Sequence, residues 1–278
     1  VGYLCGPSEC DARLRRPEEL LAECFVDCPE DIDLEVIAFQ GGLEVRDAPL
    51  VGCEASLVGY GNKGIVTVTP GVSLERRRFS IAHEIGHWQL HRGQSFSCRI
   101  EERALDKAAR SKEREADDYA SSLMMPSDLF KEAINSQKGG ISLALIGDLG
   151  RIFKASFPAA AIRYVELSGE PVVLIFNGVG SPHRIWSSRS KRVPGHLWIS
   201  DTLDPDTFAY DLLTANLETK RQGKMPAEAW FADIPDDRYE RVEFSIRLHE
   251  GVYSLLHLND EALLEERLSA KRGGSRHD

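Results

Sequence analysis

The sequence predicts an α+β protein, because helical and strand-like hydrophobic patterns occupy different stretches of the chain. Apolar residues recur with helical spacing over much of 74–165, whereas continuous or alternating apolar runs typical of strands appear beyond residue 166. With 278 residues, the chain has room for one large domain or two modest ones.

The composition indicates a globular protein that acts on neither nucleic acid nor membrane. The chain is 42% hydrophobic and 28% charged, and its formal net charge is -10. An acidic surface repels nucleic acid, so direct nucleic-acid binding is not expected and a protein or peptide partner is favoured. No stretch approaches the roughly 20 apolar residues of a membrane span, and the N-terminus lacks a signal-peptide pattern. We therefore expect a cytoplasmic protein without membrane contact.

The first clear elements are a β-hairpin and two long helices. β-type runs at 55–60 and 65–69 flank a Gly-Asn-Lys-Gly turn, which predicts the hairpin. A capping serine then starts a helix at about 74–91, and a second helix at about 108–125 ends at a proline. A polar connection at 94–107 joins the two helices.

Helices continue to residue 165 and then give way to strands. Predicted helices at 142–153 and 157–165 have helix-turn-helix spacing. Apolar and polar residues alternate over 242–248, which predicts a strand with one buried face, and a return strand follows at 252–258. A last helix is predicted at about 260–271.

His83 and His87 are the strongest sign of chemistry in the sequence. They lie four residues apart on the helix at 74–91, so both imidazoles project from one face and can bind one Zn²⁺. Glu84 follows the first histidine and lies beside the metal, where it can take a proton from an activated water and pass it to a leaving amine. This arrangement is typical of a metallopeptidase.

The same three residues also occur together by chance, so the alternative is two surface histidines beside an unrelated glutamate. Gly86 argues against it, because a glycine inside a helix costs about 1 kcal/mol relative to alanine and indicates a close approach by another backbone or a substrate. His91 is a conceivable fourth ligand. Helix capping or substrate contact is favoured for it, because a catalytic zinc keeps one position open.

A third ligand is expected on the helix at 108–125, where Glu113 and Glu115 are the candidates. Helical phase favours Glu113, since it shares the apolar, inward face with Asp117, whereas Glu115 points outward. An ionised carboxylate that faces a core needs a partner, which a metal supplies. Asp117 is then predicted to orient a ligand histidine through its second ring nitrogen.

Taken together, the two motifs resemble those of the ImmA/IrrE family of metallo-endopeptidases. Residues 78–87 (Arg-Phe-Ser-Ile-Ala-His-Glu-Ile-Gly-His) are similar to the active-site helix of that family. Residues 113–120, followed by Leu-Met-Met-Pro at 123–126, are similar to its second signature. The resemblance extends over about 30–165.

This resemblance implies a compact zincin-like domain of the gluzincin type, with zinc held by His83, His87 and Glu113 and with Glu84 as the general base. Mn²⁺ or Fe²⁺ could occupy the same ligands. In such folds an edge strand lines the cleft and pairs with the substrate backbone. The expected edge-strand residues are Ile65, Val66, Thr67 and Val68.

Members of this family typically cleave a helix-turn-helix transcriptional repressor and thereby release stress-response or mobile-element genes, so the resemblance implies a repressor protein as the substrate. One rival is a non-catalytic metal-binding protein that sequesters a repressor; the intact Glu84 argues against it. The other is a DNA-binding regulator. The helix at 157–165 argues against that one, because Arg163 is the only cation it offers to DNA.

We expect three segments along the chain. Residues 1–136 are predicted to form the zinc metallopeptidase domain, and 137–165 a helix-turn-helix-like helical segment. Residues 166–278 are predicted to form a strand-rich α+β domain, a sensor or regulatory domain in longer members of the family, some of which resemble GAF domains. No motif identifies a ligand for that domain, and nothing indicates an oligomeric state.

Overall fold

The computed structural model describes residues 14–91, 107–195, 197–215, 219–232 and 240–259. The predicted helix at 260–271 lies outside these residues, as does the polar connection at 94–107 apart from its last residue. Helices and two separate sheets make the protein α+β, as the sequence predicts. None of the described helices combines the length and the apolar character of a membrane span.

The chain divides into two compact units, Val1–Phe130 with Arg151–Ser156, and Lys131–Gly150 with Phe157–Asp278. The predicted boundaries after residues 136 and 165 stay a prediction.

Most of the first unit is built from four helices, a 3-10 turn and three strands. In chain order these are α1 (Pro17–Glu23), the 3-10 turn Pro29–Asp31, α2 (Leu34–Gln40), β1 (Leu43–Asp47), β2 (Ala55–Tyr60), β3 (Lys63–Val68), α3 (Leu74–Leu90) and α4 (Lys107–Met124). The predicted hairpin and both long helices are confirmed, to within about two residues at most ends. Ser73 caps α3, as predicted, by accepting a hydrogen bond from the Arg76 backbone N–H.

The three-stranded sheet has the order β1-β3-β2, so β3 is its middle strand. β1 runs parallel to β3, and β2 runs antiparallel to it. The prediction that residues 65–68 form an edge strand is therefore wrong, because both sides of β3 are already hydrogen-bonded to neighbouring strands. The sequence analysis overlooked β1, whose pairing converts the expected edge into the centre of the sheet.

Helix α3 packs on this sheet through Trp88. The Trp88 ring lies over Gly59 of β2, where a Cβ would collide with it, and close to Gly64 of β3. The indole N–H donates a hydrogen bond of 2.8 Å to the carbonyl of Gly41. These contacts fix the rotation of α3 about its axis. His83 and His87 project from a different side of the helix, where they meet α4.

Gly86 accounts for the close approach of α3 and α4. A Cβ at this position would lie 3.0 Å from the carbonyl oxygen of Ala116 and 3.2 Å from the Cβ of Tyr119, both on α4. The close approach that the glycine predicts is therefore the backbone of α4. Because the two helices nearly touch here, residues one turn away on each helix meet across the junction.

Three further helices follow along the chain, and much of the remaining described chain forms a sheet. These elements are α5 (Ser127–Ser136), α6 (Leu143–Phe153), α7 (Phe157–Leu167), β4 (Val172–Gly178), β5 (Arg184–Arg189), α8 (Phe208–Thr214), β6 (Lys220–Pro226), a 3-10 turn at Ala227–Ala229, β7 (Glu240–Leu248) and β8 (Gly251–His257). The five strands are antiparallel, in the order β5-β4-β8-β7-β6. The helices predicted at 142–153 and 157–165 correspond to α6 and α7.

Strand β7 buries its polar side, together with Phe244 of its apolar side. Arg241, Glu243 and Ser245 are fully buried, whereas Val242 and Ile246 are partly exposed. Alternation correctly predicts a strand here, but the face of β7 that points into the core of the second unit carries the polar residues. Helix α8 packs against this strand, and its first turn supplies hydrogen-bond donors to the buried glutamate.

Candidate metal centre

Three predicted ligands converge at the junction of α3 and α4. His83 and His87 come from α3 and Glu113 from α4, and one ligand atom from each lies within 4.8 Å of the others. The two Nε2 atoms are 3.0 Å apart. The carboxylate oxygens of Glu113 lie 3.4 Å from His83 Nε2 and 3.3 Å from His87 Nε2. Both histidines are buried, and the Glu113 side chain is 17% exposed.

The second nitrogen of each histidine faces a hydrogen-bond partner. His83 Nδ1 lies 2.9 Å from Asp117 Oδ1, which is the contact that the sequence analysis predicts for Asp117. His87 Nδ1 lies 3.1 Å from His91 Nδ1. A carboxylate accepts a hydrogen bond, so His83 donates through Nδ1 and presents a lone pair at Nε2. The same tautomer of His87 donates to His91.

Glu115 continues this chain of contacts beyond His91. Its Oε2 lies 3.1 Å from His91 Nε2, and its Oε1 accepts a 3.1 Å hydrogen bond from the hydroxyl of Ser111. The hydrogen bond with His91, aided by that of Ser111, lowers the pKa of Glu115 below its ordinary value. The carboxylate therefore stays ionised and accepts the Nε2–H of His91.

The sequence analysis missed the roles of His91 and Glu115. It assigned His91 to helix capping or substrate contact and set Glu115 aside because its phase on α4 points outward. The available signal was the spacing itself: His91 lies one turn past His87, and Glu115 lies two residues past Glu113. Whether the two side chains meet depends on how α3 and α4 cross, which the spacing does not show.

The donor atoms fit a divalent cation. With both Nδ1 atoms protonated, two imidazole lone pairs and a carboxylate oxygen point at one another, and three acceptors repel each other unless something positive lies between them. Two histidines and one glutamate form the ligand set of several catalytic zinc sites. The residues present thus suit a divalent metal ion.

A cleft of about 550 Å³ opens beside the metal ligands. It is lined by Gly52, Cys53, Glu54, Ala55, Arg76, Phe79, Ser80, His83, Glu84 and Asp117. Residues 65–68 are not among those that line it. The start of β2 and the segment before it form this wall instead, and β2 is an edge strand of the sheet.

Arg76 and its neighbours are held by ion pairs at this wall. Arg76 pairs with Glu54 across the cleft wall and lies over the ring of Phe79, 5.8 Å from its centroid. Arg77 pairs with Glu35 at 2.9 Å. Arg76 and Arg77 are therefore ion-paired, and Arg78 donates to the carbonyl of Ile32, so these arginines do not form a basic patch for nucleic acid.

Glu84 lies within the cleft and not among the ligands. It follows His83 on α3, is 1% exposed, and lines the cleft wall. A carboxylate in this position can receive a proton from a molecule in the cleft and return it to a leaving group. Glu84 thus lines the same cleft as the candidate ligand His83.

Comparisons with known proteins agree with this geometry. Residues 41–164 match a peptidase family model described as the IrrE N-terminal-like domain. No curated protein matches the chain. Among solved structures, a Mycobacterium tuberculosis transcriptional regulator is similar, with a TM-score of 0.60 and 14% identity over 89% of this chain and 77% of that one. At this identity the likeness shows a shared fold.

The matched region contains the edge of the sheet, the cleft and all three candidate ligands. It also contains both sequence motifs on which the resemblance to metallo-endopeptidases rests. Residues 41–164 therefore form a domain of the IrrE N-terminal-like peptidase family.

Proposed function

We propose that this protein is a zinc-dependent, site-specific endopeptidase. The observation that carries the proposal is the convergence of His83 Nε2, His87 Nε2 and a Glu113 oxygen beside a cleft that Glu84 lines. The ligand set favours zinc among the divalent metals, since imidazole and carboxylate donors with an open position are typical of hydrolytic zinc sites. Mn²⁺ and Fe²⁺ accept the same donors.

When bound, the metal would supply Lewis acidity to a carbonyl and to a water. The remaining steps belong to the protein. Glu84 holds the water by hydrogen bonding, accepts its proton and donates that proton to the leaving amine. Asp117 keeps His83 in the tautomer that leaves Nε2 free to bind the metal. Burial of both histidines limits the access of other water to these atoms.

The proposed substrate is a helix-turn-helix repressor protein, whose cleavage would release stress-response or mobile-element genes. Support comes from family membership and from the shared fold with a protein described as a transcriptional regulator. The net charge of -10 favours a protein partner over nucleic acid. We further propose a cytoplasmic location, three domains with the predicted boundaries, and a regulatory role for residues 166–278.

The burial and the ion pair of Arg163 argue against a DNA-binding regulator. This residue is the only cation of the helix predicted to read DNA, yet it is 7% exposed and its guanidinium pairs with Glu166 at 2.9 Å. A buried, ion-paired arginine on α7 does not reach a base edge or a phosphate. The remaining rival is a metal-binding protein that sequesters a repressor without cutting it.

The substitution Glu84→Gln separates these two functions. Wild-type and variant protein are purified, their metal content is measured, and each is incubated with helix-turn-helix repressors of the host. We expect one bound metal in both proteins and cleavage by wild type, reduced about 10²- to 10⁴-fold in the variant, because only the general base is lost.

Turnover retained by Glu84→Gln would refute the role of Glu84. Bound metal with repressor binding but without cleavage in either protein would favour the sequestering function. Protein that binds no metal would refute the metal centre itself.

A further inference from the structure

The two histidine ligands are supported in different ways. His83 meets a carboxylate directly, and this partner, Asp117, has a side chain that is 53% exposed. His87 is fully buried, so bulk water cannot orient its ring. Its Nδ1 instead faces a second imidazole, that of His91, at 3.1 Å.

We infer that His91 and Glu115 hold His87 in the tautomer and orientation that metal binding requires. The inference deepens the proposed function and rests on its metal centre. His91 and Glu115 act as positioning residues, because they reach the metal site only through the ring of His87. Glu115 thus has a different task from Glu113, although the two glutamates lie half a turn apart on α4.

The hydrogen-bond chain runs in one direction only. Glu115 accepts, so His91 donates through Nε2 and must accept at Nδ1 in its neutral form. That acceptor faces His87, which therefore donates through Nδ1 and keeps its lone pair at Nε2, 3.0 Å from that of His83. The reverse direction would point an N–H of His91 at His87, which would then carry its own hydrogen at Nε2 and lose the lone pair that faces the metal site.

This relay, the hydrogen-bond chain from His87 through His91 to Glu115, also keeps the carboxylate charge out of the buried region. The Glu115 side chain is 53% exposed, whereas the His91 ring is 6% exposed. A carboxylate placed directly against His87 would have to be buried, at a high cost in desolvation. The His91 ring carries the hydrogen bond inward, and the hydroxyl of Ser111 donates to the carboxylate at its surface end.

Capping of α3 is the structural alternative for His91. The backbone N–H of His91 does close the helix by donating to the carbonyl of His87. That bond uses no side-chain atom, so any residue would make it. The side chain packs toward His87, with ring centroids 5.3 Å apart, and both of its nitrogens are engaged along the relay.

Zinc affinity of the full-length apo protein tests the inference, measured by competition with a chromogenic chelator. His91→Phe keeps a ring and removes both nitrogens, so we expect about 10- to 100-fold weaker zinc binding. His91→Asn places a carbonyl oxygen near the former Nδ1 and can again accept from His87. We therefore expect it to restore most of the affinity.

The carboxylate is tested through its dependence on His91. Glu115→Gln in the wild-type background should weaken zinc binding less than His91→Phe does, and in the His91→Phe background it should have no further effect. The matched control is Asp118→Asn, which removes an equal charge from the exposed side of α4 and should bind zinc like wild type. Thermal unfolding of each apo protein reports whether it is folded.

Several outcomes overturn the inference while leaving the metal centre standing. They are wild-type affinity in His91→Phe, no recovery in His91→Asn, or an equal loss from Glu115→Gln in both backgrounds. If His91→Phe does not fold, the comparison of His91→Asn and Glu115→Gln with the control decides. Wild-type protein that binds no zinc would instead refute the proposed function, and the inference with it.

Discussion

Each unit of this protein contains a glutamate withdrawn from solvent among polar groups, and the two glutamates differ in what surrounds them. Glu113 in the first unit faces two imidazole nitrogens that present lone pairs. Glu243 in the second unit faces donors. It accepts from the backbone N–H groups of Phe208 and Ala209, the indole of Trp230 and the hydroxyl of Ser245.

The hydrogen-bonding groups around a buried carboxylate distinguish a binding site from a structural network. Burial raises the pKa of Glu243, although its four donors act in the opposite direction, and each of its oxygens is matched by N–H groups of the protein. Such a carboxylate is complete within the fold. Glu113 lies instead with two imidazole nitrogens, and these three residues together form a donor set that could hold a divalent cation. Counting donors and acceptors separates the two cases where burial alone does not.

Exchanging each carboxylate for an amide gives the largest expected effects. Glu113→Gln removes the negative ligand, so zinc affinity should fall by more than about 100-fold, beyond the usual cost of losing a supporting hydrogen bond. The apo protein should unfold at a similar temperature. In Glu243→Gln the amide nitrogen must face at least one N–H donor whichever way it turns. That leaves a buried donor unpaired and costs about 1–3 kcal/mol.

Chelator competition and urea unfolding of both variants check this prediction. The comparison fails if Glu243→Gln weakens zinc binding as strongly as Glu113→Gln does. It also fails if Glu113→Gln lowers the free energy of unfolding of the apo protein by the larger amount.

The sequence reveals features that depend on one helix but not those that depend on how two helices cross. Helical phase on α4 was enough to select Glu113 and Asp117, because both lie on the side that faces α3 and a helix carries its own periodicity. The relay through His91 depends on how α3 and α4 cross, which no local pattern records. The close packing at Gly86 was expected, but its partner could be named only from the structure.

Strands were harder to interpret for a physical reason. A hairpin is local, so β2 and β3 could be predicted, whereas the parallel pairing of β1 with β3 joins distant residues and decides which strand lies at the edge. On β7, hydrophobic alternation predicted the strand but not the burial of its polar side, since Glu243 is stabilised by donors from α8 and Trp230.

A substitution at Gly86 tests whether the contact between α3 and α4 sets the geometry of the metal centre. Gly86→Val would press a branched side chain against the backbone of Ala116 and move α3 away from α4. We expect a loss of about 1–3 kcal/mol in stability, as in other overpacked cores. The histidines come from α3 and Glu113 from α4, so separating the two helices should also lower the zinc affinity.

Gly195→Ala in the second unit is the control, since a Cβ there would meet nothing within 4 Å. Zinc affinity and urea unfolding are measured for both variants. Wild-type zinc affinity in Gly86→Val would show that the helix contact does not set the geometry of the metal centre.

The smallest expected effect belongs to Tyr119, which lies on α4 but outside the metal cluster. Its hydroxyl donates a 2.9 Å hydrogen bond to the carbonyl of Arg15, and the side chain is 5% exposed. Tyr119→Phe should cost about 0.5–1.5 kcal/mol and leave zinc affinity unchanged.

Burial raises the pKa of Tyr119 above its ordinary value of 10.0, which gives this variant a pH signature. Below that value the phenol is neutral in both folded and unfolded protein, so the contribution of its hydrogen bond is fully present. As the pH rises above it, the unfolded phenol ionises while the folded one resists, so wild-type stability falls. Urea unfolding at increasing pH should therefore show the advantage of wild type over Tyr119→Phe shrinking above about pH 10. A constant difference across that range would mean that the phenol is not held in its neutral form by the fold.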